Sequence, residues 1–493
     1  MIHTPVNRPQ GAGMVDDRVI SAPFFWEELS KKGSLIAFVD AATGQQLTYA
    51  DLDREVEELA EKLQRASKKF ALLPIRRNLA SVIWYLGLLR AGHAVALCDR
   101  LEPRMMQQYF PNFVVLPEDS GLEPPYLKTV VKRGFAIFED EQEYPIEPRL
   151  AVMMQTSGST RIPKFARLST YNVAFGALQV VASLDITDAD RAISSLPFSH
   201  IYGLSVLHSH LFAGASIILT ERPIVDRAFW SHVADYNVTS LAGVPWTYEA
   251  LMGSRLLPKC MGPLKKLTQS AGRLSPECRR WLVESCRDTR AVYFMYGQTE
   301  AAGRITVLPP EVIDTMGSVG YVVPGGGLKC DPDGQVIFSG PNVMLGYAYS
   351  RKDLASGDDF HGVLPTGDFG KLGPDGRLYL GGRKDRLCKL FGLRFNLDDI
   401  EAEFRAAGAV AVIADSKGLF VFAENVSSDV VRRRANAIAN ALGVPMGAFH
   451  VASVAQLPRN KTGKILYSAL HTKVSEQTSC FAEGEGTWPH SRS

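Results

Sequence analysis

Gln155-Thr156-Ser157-Gly158-Ser159-Thr160-Arg161-Ile162-Pro163-Lys164 is the stretch on which the reading of this chain turns. It follows an apolar run, Leu150-Ala151-Val152-Met153-Met154, which predicts a buried strand. Ser and Thr supply hydroxyl donors, Gly158 lets backbone N–H groups approach closely, and Lys164 adds a positive charge. A strand that runs into such a loop suits a polyphosphate. The spacing is not that of a Walker A loop, because no Gly-Lys-Ser/Thr closes it. On composition alone, a plain surface loop is an equal reading.

The bulk numbers narrow the class. The chain has 493 residues, 46% hydrophobic and 22% charged, which is ordinary globular composition with room for two or more domains. A net charge of +2 provides no global field for nucleic acid or a membrane surface. Met1 to Arg8 lacks the apolar core of a signal peptide, and no apolar run reaches transmembrane length. Neither nucleic-acid binding nor membrane insertion is expected. The seven cysteines, scattered from Cys98 to Cys480 without a Cys-x-x-Cys pair, read as reduced thiols, so a cytoplasmic location is expected. His208 and His210 lie near His200, but residues two apart on a helix point in different directions. A structural role is therefore expected for them rather than a metal site.

Local patterning sets the domain plan. Residues 1 to about 22 are polar and turn-rich, the composition of a loosely held arm. Thr48 and Asp51 form a capping-box pair ahead of a helix whose stripe is Leu52, Val56, Leu59 and Leu63. Trp84 to Gly92 reads as a helix ending at its glycine, and Ala94-Val95-Ala96-Leu97 as a buried strand. Strand and helix signals alternate through residues 70 to 320, which predicts mixed α/β with largely parallel pairing. Glycine-rich turns crowd residues 325 to 382 and predict a β-rich subdomain. After Asp385, Val410 to Ile413 and Gly418 to Phe422 read as strands and Asp429 to Leu442 as a helix. The expected fold class is α/β. A large N-terminal domain, 1–384, comprises α/β subdomains and the β-rich subdomain; a small mobile α+β domain, 385–472, follows. Residues 473–493 are expected to be a disordered tail.

The chemistry-bearing segments come in a fixed order. They are Leu196-Pro197-Phe198-Ser199-His200-Ile201-Tyr202-Gly203, Gly243-Val244-Pro245-Trp246, Gln269-Ser270-Ala271-Gly272 and Tyr296-Gly297-Gln298-Thr299-Glu300. Thr366-Gly367-Asp368, Gly382-Arg383-Lys384-Asp385, Lys389 to Arg394 and Pro458 to Lys464 follow. Singly each is bland. His200 reads equally as a satisfied core histidine, Glu300 as a surface carboxylate at a helix cap, and Lys464 as a solvated lysine. In order, with the Gln155 loop, they resemble the adenylate-forming (AMP-binding) superfamily of acyl-CoA synthetases, aryl-acid ligases, carrier-loading adenylation domains and firefly luciferase. Arg161 and Phe165 stand where that family usually has glycines, Ser270-Ala271-Gly272 replaces the usual Gly-Gly-Ala, and Phe391 replaces a frequent basic residue.

The resemblance implies an enzyme, an ATP- and Mg²⁺-dependent ligase. It activates a small carboxylic acid, fatty or aryl, to an acyl-adenylate with release of pyrophosphate, then forms an acyl-CoA thioester. Loading of a carrier protein's phosphopantetheine arm, or a non-catalytic adenylate-binding module, is the alternative. Thr156, Ser157, Gly158, Ser159, Thr160 and Lys164 would hold the phosphates, and Lys464 would neutralise the attacking carboxylate. Glu300 would hold the metal. Ala271, Gly272, Tyr296, Gly297, Gln298, Thr299, Asp368, Arg383 and Arg394 would surround the nucleotide, with Asp385 as hinge. His200, Tyr202, Gly203, Val244, Trp246, Ser270 and Met295 would line the acyl pocket. That pocket segment offers no aspartate for a substrate ammonium, which implies a plain acid rather than an α-amino acid.

Overall fold

The computed structural model describes residues 24–478 apart from 123–126, 157–163, 255–261, 288, 313–316, 384–385, 391–392, 405–407, 416–417, 443 and 460–464. Two large sheets carry the chain up to Arg383. The first has eight strands and is built on Phe70–Pro74, Ala94–Cys98 and Leu150–Gln155, which run parallel. Residues 150–154 are all buried, so the strand that leads to the phosphate-type loop lies in the middle of the layer. Phe165–Ser169 returns antiparallel beside it, and Gly346–Ala348 adds the edge.

The second sheet has thirteen strands. Ile36–Asp40, Ser216–Leu219, Arg191–Ile193, Ser240–Gly243, Lys266–Gln269 and Ala291–Tyr296 pair in parallel. From Thr306–Leu308 onward the neighbours are antiparallel. The parallel core therefore ends beside Tyr296, and ligands of open α/β sheets bind outside the carboxyl ends of such strands. The glycine-rich stretch is β-rich, as expected. Its strands Ser318–Val322, Leu378–Arg383, Val363–Leu372, Gln335–Ser339 and Gly327–Cys330 continue this same sheet. Backbone pairing across Thr306↔Val322 joins them, a contact that turn chemistry alone does not announce.

Local rules account for the helices around this frame. Thr48 and Asp51 make the capping box of helix Tyr49–Leu63, and Leu52, Val56, Leu59 and Leu63 are fully buried. Helix Leu79–Arg90 begins one turn ahead of the expected Trp84, capped by Asn78, and Gly92 takes the left-handed conformation after its end. His208 accepts or donates to the Tyr85 hydroxyl at 2.7 Å, and His210 contacts the Val206 carbonyl at 2.9 Å. Burial pushes His208 down to about 3 and His210 down to about 4, so both are neutral core residues. Among the described residues no metal-type cluster of His, Cys, Asp and Glu exists, and no helix is long and apolar enough to cross a membrane.

The C-terminal unit is a three-stranded sheet, Val410–Asp415, Gly418–Glu424 and Phe449–Val454, with helices on both faces. Arg386, immediately after the expected hinge, anchors it. Its guanidinium donates to Asp398 at 2.8 Å, the Val412 carbonyl at 2.7 Å and Glu401 at 2.5 Å, and lies over Tyr467. Glu401 serves here as a structural clamp, accepting also from the Val412 N–H at 2.7 Å and the Tyr467 hydroxyl at 2.9 Å. Helix Tyr467–Thr478 corrects the expected tail boundary at 473. Val474 is buried with Leu470 against Ala411, Ile413 and Phe422, and this apolar contact carries the helix past the polar composition around it.

Candidate functional site

Three groups of side chains meet at the carboxyl ends of the parallel strands. The first forms the wall of the expected acyl pocket. Gly243, Gln269 and Phe294 are register partners, so Val244, Ser270 and Met295 come one residue further on, at the carboxyl ends of three adjacent strands. Ser270 Oγ donates to the Met295 carbonyl at 3.1 Å and locks the row. Trp246 is 45% exposed at the start of helix Pro245–Ser254, at the open end of this row. His200 stands at the N-cap position of helix Ile201–Ala213, with Nε2 3.9 Å from the Asp99 carboxylate, which accepts from the Ser199 hydroxyl. Gly203 is dictated by sterics: a Cβ there would sit 2.2 Å from the Pro197 carbonyl oxygen. Tyr202, expected to line the pocket, is buried. Its hydroxyl is committed to the Thr268 carbonyl at 2.9 Å and hydroxyl at 2.8 Å, behind the wall, and burial pushes its pKa up to about 12.

The second group fits a nucleoside. The Tyr296 hydroxyl donates to Asp368 Oδ2 at 2.5 Å, across 72 residues of sequence. Asp368 is buried, and its N–H donates to Thr366 Oγ1 at 3.1 Å. Gln298 Nε2 reaches the Thr366 carbonyl at 3.2 Å. Asp368 pairs across the strands with Arg383, of which only the backbone is described. Two segments expected to surround the nucleotide thus lie side by side.

Ala271 and Gly272 follow Ser270 on the pocket side. Ala271 takes φ +66°, a left-handed conformation that favours glycine, which is the physical content of its departure from the family pattern. Ala271→Gly is expected to raise stability by about 0.5–1 kcal/mol, the relief of strain less the added chain entropy. A denaturant midpoint at or below that of the parent would contradict this.

The third group fits phosphate and metal. Thr156 N–H donates to the Lys164 carbonyl at 3.1 Å and closes the neck of the loop. Thr156 Oγ1 is buried with no partner among the described residues, an acceptor and donor left for a ligand. Lys164 Nζ lies 3.8 Å from the centre of the Tyr347 ring, and the Tyr347 hydroxyl donates to Glu300 Oε1 at 2.8 Å. Glu300 sits in the short turn Thr299–Ala301, whose backbone accepts from Met344 N–H at 2.9 Å. A lone carboxylate beside a phosphate-type loop matches Mg²⁺, which takes one or two carboxylates plus phosphate oxygens and water. Phe165, the second glycine departure, is fully buried edge-on against Tyr109 and fastens the far stem of the loop.

Ser157, Gly158, Ser159, Thr160, Arg161, Asp385 and Lys464 lie outside the described residues, and of Arg394 only the backbone, paired with Lys389, is described.

Tyr347 and Arg167 were not legible in the sequence. Arg167 is fully buried and donates to the Tyr347 carbonyl, Ser356, Gly357 and Asp359, so it clamps the Tyr347 segment to the strand after the loop. Tyr347→Phe is expected to raise the KM for Mg²⁺·ATP about tenfold, since a hydrogen bond to a charged group contributes about 1.5–3 kcal/mol. The ring, and with it the Lys164 contact, remains, so Tyr347→Ala should cost more. Equal KM values for Tyr347→Phe and the parent would make the bond incidental.

Comparisons with known proteins agree with this geometry. Residues 25–348 match the AMP-binding enzyme family. The chain is 26% identical to the 2-succinylbenzoate–CoA ligase of Bacillus velezensis over 87% of this chain and 93% of that protein. It is 28% identical to an acyl-CoA synthetase of Alternaria alternata over 64% of this chain and 60% of that one. Its fold matches o-succinylbenzoate CoA synthetase of Bacillus subtilis in complex with the acyl-adenylate OSB-AMP. That likeness has TM-score 0.73 and 22% identity, covering 91% of this chain and 98% of that one. ATP-bound MatB of Rhodopseudomonas palustris is similar at TM-score 0.73 and 22% identity, covering 92% and 99%.

Proposed function

This chain belongs to the AMP-binding enzyme family, and on that footing we propose that it is an AMP-forming acid–thiol ligase that makes an acyl- or aryl-CoA. The observation that carries the reading is the Tyr296–Asp368 bond, which brings two distant nucleotide-type segments onto one strand end.

The chemistry follows from what a carboxylate lacks. It is a poor acyl donor because oxide would have to leave. One carboxylate oxygen attacks the α-phosphorus of ATP, the bond to the β-phosphate breaks, and pyrophosphate departs. A thiol then attacks the acyl carbon, and AMP leaves with the former carboxylate oxygen. Asp368 accepts from the ribose hydroxyls, and Tyr296 offers a ring face to the adenine. Thr156 and Lys164 meet the departing phosphates, where positive charge and donors offset the developing negative charge. Mg²⁺, held by Glu300, would neutralise phosphate oxygens when bound. Lys464 balances the attacking carboxylate, and the small domain turning at Asp385 exchanges it for the Lys389–Arg394 hairpin when the thiol enters.

Relatives whose printed activity is on 2-succinylbenzoate make that acid the first to test. CoA is the favoured acceptor. The relatives, named for CoA ligation, support that choice. Pyrophosphate release should be measured over an acid panel with hydroxylamine as trap, then with CoA and with a holo-carrier. Release with at least one acid and thioester formation with CoA are expected. Turnover only with the carrier would reassign the acceptor, and no release with any acid would leave a binding module.

A further inference from the structure

The row Val244, Ser270 and Met295 belongs to one face of the parallel sheet. Side chains along a strand alternate between faces, and the two cores divide accordingly. Ala242, Val244, Tyr293 and Met295 pack with Tyr202 and Leu184, from helices Ile201–Ala213 and Thr170–Leu184. Leu241, Leu267, Val292 and Phe294 pack in the core of the opposite face. Two residues back from the row stand Ala242, Thr268 and Tyr293, aligned in register. They form a second layer about 7 Å behind it, which an acyl chain passing the row would have to enter.

A cavity of about 30 Å³ lies against that second layer. Ala242, Thr268, Tyr202, Leu184 and Met295 line it, whereas Val244 and Ser270 do not. Met295 therefore belongs both to the row and to the cavity wall. The volume is room for about two methylene-sized groups. Polar groups at its edge are engaged elsewhere: Lys266 with Asp190 at 2.9 Å, and His210 with the Val206 carbonyl at 2.9 Å. Arg304 Nε and Nη1 are buried away from it. What the cavity offers a ligand is carbon surface.

Tyr202 completes the partition. Its hydroxyl donates to the Thr268 carbonyl at 2.9 Å and meets Thr268 Oγ1 at 2.8 Å, which pins the ring across the second layer. The backbone beside it cannot retreat, because Gly203 already lies too close to the Pro197 carbonyl for a Cβ.

We propose that Met295 and Tyr202 set the acyl-length limit of this protein. They end the acyl pocket at the row and keep the apolar space behind it out of reach, so acids whose carbon skeleton passes the row are refused. This rests on the ligase reading, which places the activated carboxyl on the open side of the row.

The test measures pyrophosphate release by the full chain over two series, straight-chain acids from butanoate to dodecanoate and phenylalkanoates from phenylacetate to 6-phenylhexanoate. In at least one series the parent's kcat/KM should rise to one length and fall at least about tenfold for two further carbons, the scale of a methylene that does not fit. Met295→Ala should move that peak by two or more carbons, chiefly through KM. Tyr202→Leu opens the partition from the other side and should also lengthen the peak, which keeps the test alive if Met295→Ala fails to fold. Adding Ala242→Leu to Met295→Ala refills the space and should return the peak. Leu184→Ala enlarges the cavity from the helix side but leaves the partition, so it should melt lower than the parent with the peak in place.

Release whose length profile is the same in the parent, Met295→Ala and Tyr202→Leu would overturn the proposal. So would a peak moved equally by Leu184→Ala, which would mean general loosening, or a parent that accepts every length alike. Release confined to acids outside both series would overturn it too, with the ligase reading intact. No release by any of these proteins with any acid would overturn the ligase reading and this limit with it.

Discussion

Gly297→Ala is expected to lower stability by about 3 kcal/mol or more and to cut pyrophosphate release at least about 100-fold, because the methyl group has nowhere to go. A Cβ at Gly297 would lie 2.2 Å from the Gly303 carbonyl oxygen and 2.8 Å from Arg304 Cα. These are backbone atoms of a turn held by Gly303 N–H to the Gln298 carbonyl at 3.0 Å and Ile305 N–H to the Tyr296 carbonyl at 2.9 Å. No side-chain rotation relieves the clash. The turn must move, and it carries Tyr296, Gln298, Glu300 and Arg304 with it. Gly253→Ala is the control, since a Cβ there meets nothing within 4 Å in helix Pro245–Ser254. It should be neutral or slightly stabilising. A Gly297→Ala protein with parental melting temperature and turnover would mean that the turn relaxes freely.

Asp368→Ala should weaken ATP binding by about 1.5–3 kcal/mol, roughly 10- to 150-fold, the scale of hydrogen bonds to a charged group. The carboxylate is 4% exposed, oriented by the Tyr296 hydroxyl, and fixed at its backbone by Thr366 Oγ1. It is therefore preorganised for a diol rather than free to seek water. Tyr296→Phe separates orientation from contact. It removes the 2.5 Å bond but keeps the ring and the carboxylate, so the loss should be smaller than for Asp368→Ala. Calorimetric titration with ATP measures both. Unchanged affinity in Asp368→Ala would make this aspartate structural.

What the sequence by itself determined is whatever depends on near neighbours. The capping box at Thr48 and Asp51, the stripe from Leu52 to Leu63, the end of a helix before Gly92 and the buried strand Leu150–Met154 all follow from cap chemistry and period. The ordered motifs named the nucleotide segments, and three of them, at Gly243, Gln269 and Tyr296, fall at the ends of adjacent parallel strands.

Only the tertiary structure decided which side chains face one another. Tyr347 and Glu300 are 47 residues apart, Tyr296 and Asp368 are 72, and Arg167 and Asp359 are 192. No local pattern encodes such pairs, because they form only when strands close over long loops. For the same reason Tyr202 turned its hydroxyl inward to Thr268, and the glycine-rich strands continue the large sheet. In the sequence, Arg304 is a cation among small and apolar residues, like any surface arginine near a turn. Its burial is a property of packing, which no run of neighbouring letters contains.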